Sequence, residues 1–257
     1  YFNSVTIPIM MPAILVMGLG PMLSWGKVEV IRTLVKSLPN ILLATVISSI
    51  FFWIYGSYNI LGFAGIILAF WIMSNILLTT VQQLIVKNKE ITQKIMPKYS
   101  SGMIIAHLGV ALLILGITGS SIWQKEKIIR MKVNDETSIH NYNIVFKEIS
   151  EVTGPNYVAL QGNFWVYNNK KNIITKLKPE NRFYPVTNNS TTEASIHTNL
   201  ARDLYVVLGN GDINKGWIVR IYYNPLVVWI WIGAFAIFLG GLFSMKNNLK
   251  KLKRLSI

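Results

Sequence analysis

The sequence predicts a membrane α-helical bundle: five transmembrane helices, four before and one after an inserted exterior, all-β domain. Three observations carry this. Of 257 residues, 52% are apolar and 14% charged, with a mean hydropathy of +0.41. That is high for a soluble domain and moderate for a pure bundle, so a water-exposed part is expected. Five apolar runs approach the ~20 residues that span a hydrocarbon core of ~30 Å. Between the fourth and fifth lies a stretch of short β-branched and aromatic runs broken by turn residues.

In chain order, the spans are expected at about 5–25 (VTIPIMMPAILVMGLGPMLSW), 40–58 (NILLATVISSIFFWIYGSY), 60–82 (ILGFAGIILAFWIMSNILLTTVQ), 101–123 (SGMIIAHLGVALLILGITGSSIW) and 225–245 (PLVVWIWIGAFAIFLGGLFSM). Pro8, Pro12 and Pro21 predict kinks in the first, tolerated where neighbours satisfy the freed backbone groups. Pro225 suits the first turn of the fifth. Residues 124–224 read as a small antiparallel sandwich or barrel. YNIVFKEI, NYVALQGNFWVY, DLYVVLG and GWIVRIYY are its strands, and Gly154-Pro155, Asn168–Lys171, Lys178-Pro179 and Asn210-Gly211 its turns. TTEASIHTNL is expected as a short helix or an ordered loop. Residues 246–257 form a basic cytoplasmic tail.

Orientation follows from the Lys and Arg of the short loops. Lys27, Arg32 and Lys36 lie between the first two spans, and Lys87, Lys89, Lys94 and Lys98 between the third and fourth. Lys246, Lys250, Lys251, Lys253 and Arg254 lie in the tail; Glu29 and Glu90 are the acids of these regions. Five spans put all three regions inside and residues 124–224 outside. The formal net charge of +14 is then mostly a topology signal, aided by anionic lipid, and nucleic acid need not be invoked. Trp53, Tyr55, Tyr58, Trp123, Trp217, Tyr222, Tyr223 and Trp229 are expected at the outer interface. No cysteine is present, which excludes disulfides, thiolate metal sites and cysteine nucleophiles. The chain opens at Tyr1 with nothing resembling a signal peptide, and is expected to be a segment of a longer protein.

His107 is the one ionisable residue of the fourth span, in its cytoplasmic half. Such residues are costly in a membrane and face a protein interior. Gly102, Ala106, Gly109, Leu113, Gly116 and Ser120 form a nearly small-residue seam along this helix, which lets a helix or a flat ligand approach closely. His107 and Ala111 lie on the adjoining stripe. The chemistry alone leaves three uses for the imidazole: axial ligand to haem, proton relay, or hydrogen bond to a neighbouring helix. His140 and His197 read as solvated surface residues, and the exterior carboxylates form no acid–base pair. KPENRFYPV reads as a partner-binding loop or as a turn packed on the membrane surface. No phosphate loop, nucleophile elbow, zinc signature or dinucleotide fingerprint occurs, and no catalytic residue is assigned.

Several runs in order resemble the C-terminal part of the CcmF family of cytochrome c-type biogenesis haem lyases. They are YFNSVTIPIMMPAILVMGLGP, AHLGVALLILGI, VTGPNYVALQGNFWV, KPENRFYPV, TTEASIHTNLARDLYVVLG and WIVRIYYNPLVVWIWIGA. The resemblance implies haem attachment to the CxxCH thiols of apocytochrome c, at the periplasmic face of the bacterial inner membrane (the mitochondrial inner membrane if organellar). It implies haem delivered as substrate by the chaperone CcmE, and thioredoxin-like partners CcmH and CcmG, with CcmI in some organisms. It also implies a structural haem b held by two histidines of different spans and reduced by quinol, with His107 matching one of the two. The tryptophan-rich exterior motif, its flanking histidines and the second haem b ligand belong to the family's N-terminal part. This chain alone is therefore expected to be inactive. At His197 the sequence departs from the family, where an acidic residue is expected.

Two rivals stand beside the lyase reading: a non-catalytic haem-binding quinol electron-transfer subunit, and a membrane-anchored assembly factor in which His107 is purely structural. The charge count has its own test. A reporter fused at residue 170 should be active only outside the cytoplasm; cytoplasmic activity there would overturn the orientation.

Overall fold

The computed structural model describes residues 2–20, 30–55, 59–85 and 101–255. It divides into two compact units, Tyr1–Ile122 with Trp229–Ile257, and Trp123–Val228.

Among the described residues the first unit has five helices: α1 (Phe2–Leu19), α2 (Val30–Tyr55), α3 (Ile60–Ile85), α4 (Ser101–Ile122) and α5 (Val227–Leu255). Four are long and apolar enough to cross a membrane, over Thr33–Tyr55, Ile60–Leu78, Ser101–Ile122 and Val227–Lys246; α1 offers the shorter apolar stretch Ser4–Leu19. The expected end of the first span, with Pro21, and the outer-interface residue Tyr58 lie outside the described residues. Two helix boundaries differ from expectation. α2 starts ten residues before 40 and carries Pro39 inside it. A membrane helix tolerates a proline where neighbours satisfy the freed carbonyl, here that of Val35. At the other end, Pro225 closes a strand instead of opening the last helix. α5 runs on through the basic tail to Leu255, because Lys and Leu are good helix formers and cations suit a helix C-terminus.

α3 packs against α1, α2 and α4. The Trp71 indole N–H donates to the Leu15 carbonyl of α1 at 3.3 Å, and Gly18 leaves room for the ring. Asn40 of α2 donates to Asn75 Oδ1 at 2.6 Å, and Asn75 donates to the Trp71 carbonyl at 2.8 Å. In lipid each such bond contributes only about 0.6 kcal/mol, yet each fixes the register of its two helices. α4 is held on two sides. A methyl group built on Gly109 would sit 2.7 Å from the Gly233 carbonyl oxygen, and one on Gly102 would sit 2.5 Å from that of Gly240. α4 and α5 therefore meet backbone to backbone. On the other side, Thr118 and Ile122 of α4 fill the spaces beside Gly65 and Gly62 of α3.

The second unit contains ten strands: β1 (Lys125–Met131), β2 (Glu136–Ile139), β3 (Tyr142–Thr153), β4 (Val158–Asn168), β5 (Ile173–Leu177), β6 (Glu180–Tyr184), β7 (Asn189–Glu193), β8 (Ser195–Thr198), β9 (Arg202–Asp212) and β10 (Gly216–Pro225). One sheet has the order β1-β10-β9-β8 and the other β2-β3-β4-β6-β7, with β5 also paired to β4; every pairing is antiparallel. Period-two alternation turns Ile144, Phe146, Phe164, Val166 and Leu177 of one sheet toward Leu204, Val206, Leu208, Val219 and Ile221 of the other, making one apolar core. Phe146 stacks on its cross-strand partner Phe164 at 4.4 Å and meets Trp217 edge-on at 5.8 Å. Trp217 is thus a core residue and not an interface aromatic; its position on β10 alternates with Ile218, which faces outward. TTEASIHTNL forms neither helix nor loop over most of its length. Its Thr- and Ser-rich halves pair as β7 on β6 and β8 on β9.

The glycine contacts yield a paired test. Gly109→Leu forces α4 and α5 apart and should cost about 1–3 kcal/mol or more by the overpacking rule. Gly241→Leu, with open space around it, should be neutral. Thermal unfolding of the detergent-solubilised chain reads both; equal effects would contradict the close approach.

Candidate functional site

α4 forms because its residues are apolar and small with no proline inside, and its helical period sets out two stripes. Gly102, Ala106, Gly109 and Leu113 face α5. His107, Ala111, Ile114 and Thr118 follow each other at spacings of four, three and four, so His107 shares the stripe that reaches α3 through Thr118. The seam expected to admit a helix or a flat ligand is filled by the α5 backbone. A macrocycle bound to His107 must therefore lie on another side of α4.

His107 is half-buried. Its Nδ1 lies 2.9 Å from the Met103 carbonyl oxygen one turn earlier. A carbonyl only accepts, so Nδ1 carries the proton and Nε2 is left with an unshared pair. That is the usual state of a metal-ligating imidazole: one nitrogen oriented by a backbone carbonyl, the other open as the donor. An apolar helix presenting one such imidazole fits one axial side of a haem. His140 and His197 both lie in the other unit, and the chain has no further histidine, so α1–α5 supply one imidazole and no second.

In the sandwich the two histidines are not simple solvated residues. His197 Nδ1 accepts from Arg202 Nη1 at 2.7 Å, and the same nitrogen donates to the His197 carbonyl at 2.8 Å. Arg202 Nε donates to the Tyr142 hydroxyl at 3.0 Å, with the guanidinium over the Tyr142 ring. His140 is exposed and its ring packs at a tilt against Tyr223, centroids 4.5 Å apart. Arg202 escaped the sequence reading. Its signal was the alternation Arg202, Leu204, Val206, Leu208, which places a charge on the apolar face of β9.

KPENRFYPV is neither loop nor turn at its centre: Glu180–Tyr184 is β6. Glu180 is bonded by Arg182 at 2.8 Å and by Gln161 at 2.7 Å, and Arg182 covers the Tyr157 ring at 4.4 Å. The Arg182 hydrogen bond holds the Glu180 carboxyl below its ordinary range. Those charges serve the sheet. Phe183 remains exposed and, with Val158, Leu160, Asn181 and Asn210, lines an open groove of about 410 Å³.

These features define a class: a multispan membrane protein with a two-sheet domain inserted before its last helix and a lone imidazole held inside the membrane. Residues 122–225 match the family model described as the CcmF C-terminal beta-sandwich. The chain is 33% identical over 94% of its length to the cytochrome c-type biogenesis protein CcmF of Escherichia coli, and 33% identical over 98% to that of Pseudomonas fluorescens. It spans only 36% and 38% of those proteins. A solved structure titled cytochrome c heme lyase CcmF superposes with a TM-score of 0.70 over 94% of this chain and 39% of that one, at 20% identity, which shows the shared fold. The chain belongs to the CcmF family and corresponds to its C-terminal part.

Burial, and then Arg202, lowers the His197 pKa below its ordinary 6.5. Burial, and then Lys125, does the same to His140. The unfolded chain takes up these protons near 6.5 while the folded chain resists, so their contribution to stability is complete above that pH. It is lost as pH falls from 6.5 through the lowered folded values. Chemical unfolding followed by tryptophan fluorescence should show stability dropping as pH falls below 6.5. His197→Asn should flatten that slope; an unchanged slope would contradict the Arg202–His197 pairing.

Proposed function

We propose that this chain is the C-terminal part of a cytochrome c haem lyase and contributes one axial ligand, His107, to a haem b within the membrane. The observation that carries the reading is the imidazole itself, with Nδ1 bonded to the Met103 carbonyl and Nε2 open on a half-buried face of a membrane-spanning helix. Membership of a family whose curated members are named for cytochrome c-type biogenesis supports it.

Bound there with a second imidazole, haem supplies one-electron transfer, because a doubly ligated iron leaves no position open for oxygen. The residues of this chain orient and shield. Met103 fixes the tautomer, and the α3 and α5 contacts hold α4 so that the imidazole cannot turn away. The α5 backbone closes the seam, and the surrounding apolar side chains exclude water. The lyase reaction adds the S–H of each apocytochrome cysteine across a haem vinyl group, forming a thioether with no leaving group. Haem enters as substrate, brought by a CcmE-type chaperone, and quinol is the electron source. The sandwich is periplasmic, and its groove beside Phe183 is a surface for apocytochrome or for the CcmH, CcmG and CcmI partners.

In the full-length protein, His107→Ala should abolish the reduced-minus-oxidised haem b spectrum and stop maturation of c-type cytochromes, while protein abundance in the membrane is retained. His107→Gly should recover part of the spectrum on adding imidazole. Retention of the full spectrum by His107→Ala would remove the axial-ligand role. A lost spectrum with normal cytochrome maturation would remove the electron path and favour a purely structural haem.

A further inference from the structure

Arg202 is 1% exposed, and its hydrogen bonds can be counted group by group. Nε donates to Tyr142, and Nη1 donates to the ring nitrogen and to the carbonyl of His197. Nη2 is buried and has no acceptor. Among the described residues the carboxylate ion pairs involve Arg182 and not Arg202. The neighbouring Asp203 alternates to the other face of β9 and makes no ion pair with Arg202, although its charge reaches His197. A buried guanidinium without a counter-charge is costly, and an unmade hydrogen bond adds to the cost.

Beyond the His197 acceptors that Arg202 already engages, donors and a cation stand nearby. The Tyr142 hydroxyl accepts from Arg202, which leaves its own proton to donate. Lys125 is close enough to His140 to depress its protonation. His140 itself occupies a left-handed backbone conformation, φ 52°, at a hairpin turn where glycine or asparagine is the easy choice. It stays there with its ring tilted against Tyr223, which stands on β10 opposite Lys125. Strain of this kind persists where the side chain has a use. Lys125 and His140 are exposed, and His197, which bonds Arg202, is half-buried. The location is also specific. Lys125 follows α4 by three residues, and Pro225, paired with Arg202, precedes α5 by two.

We propose that this end of the sandwich is a binding site for one phosphate group, taken either from a lipid headgroup or free from solution, with Arg202 as its buried anchor and Tyr142, His140 and Lys125 as further donors. A tetrahedral anion with several acceptor oxygens suits donors that converge from different strands, whereas a planar carboxylate would satisfy fewer of them.

The chain purified in dodecyl maltoside, stripped of lipid, tests the first source. Millimolar inorganic phosphate should raise the unfolding temperature relative to chloride at equal ionic strength, and Arg202→Gln should weaken that response about tenfold or more. Native mass spectrometry of the chain released from phosphatidylglycerol nanodiscs tests the second: the wild type should retain one more phospholipid than Arg202→Gln. Because Arg202→Gln risks the fold, His140→Asn is the companion variant. Asparagine suits the left-handed turn, so stability should be kept while phosphate affinity falls several-fold. A response in either arm that these variants weaken supports the site and identifies its source. No phosphate response and equal lipid retention in wild type and variants would overturn it, leaving water as the acceptor for Nη2.

Discussion

The backbone contact between α4 and α5 is the constraint on which the other parts depend. Inside a bilayer no hydrophobic force draws helices together, so association rests on close packing, and glycine permits the closest. Gly102 and Gly109 of one helix meet Gly240 and Gly233 of the other in an antiparallel pair. With α5 committed to that face, the stripe carrying His107 is turned toward α3. The insertion between the two helices is compatible for an independent reason. β1 and β10 are hydrogen-bonded neighbours, so the inserted chain begins and ends side by side. Spans that lie together and an insertion whose ends lie together require no strained linker.

Polar groups obey one rule in two solvents. Within the helices, Asn40, Asn75, Ser37 and Ser48 are buried and each bonds a neighbouring side chain or a carbonyl of the preceding turn. His107 follows suit at Nδ1 and leaves Nε2 over. In the sandwich Arg202 is satisfied on two of its three nitrogens and leaves Nη2 over. Each is a polar atom that its own chain does not use, in a setting where an unused polar atom is expensive. That shared feature makes these two residues, rather than the many exposed charges, the chemically informative ones.

The relation to longer relatives fits the proposed haem site, to which this chain would supply one ligand. A chain spanning 36% of the Escherichia coli protein brings one imidazole to the membrane interior, and a doubly ligated haem needs two. Large apolar side chains of α2 and α5, among them Trp53, Phe235 and Phe238, are left exposed. Such faces require either lipid or further protein, and the length of the relatives provides for the latter.

Much of this was legible in the residues alone, for physical reasons. Apolar length marks a span because a bilayer has a fixed thickness, and alternation marks a strand because its side chains point to opposite faces. His107 stood out because an ionisable group among apolar ones is costly. Periodicity, however, says which face of an element is apolar and not what will cover it. Only the tertiary structure decided that α5 fills the glycine seam, that Trp217 stands in the sandwich core, and that Glu180–Tyr184 is a sheet strand whose charges pair locally. The same holds for Arg202, an ordinary basic residue in sequence. Its isolation arises from strands far apart in the chain, β2–β3, β8 and β9, being brought to one end of the domain, which no local pattern encodes.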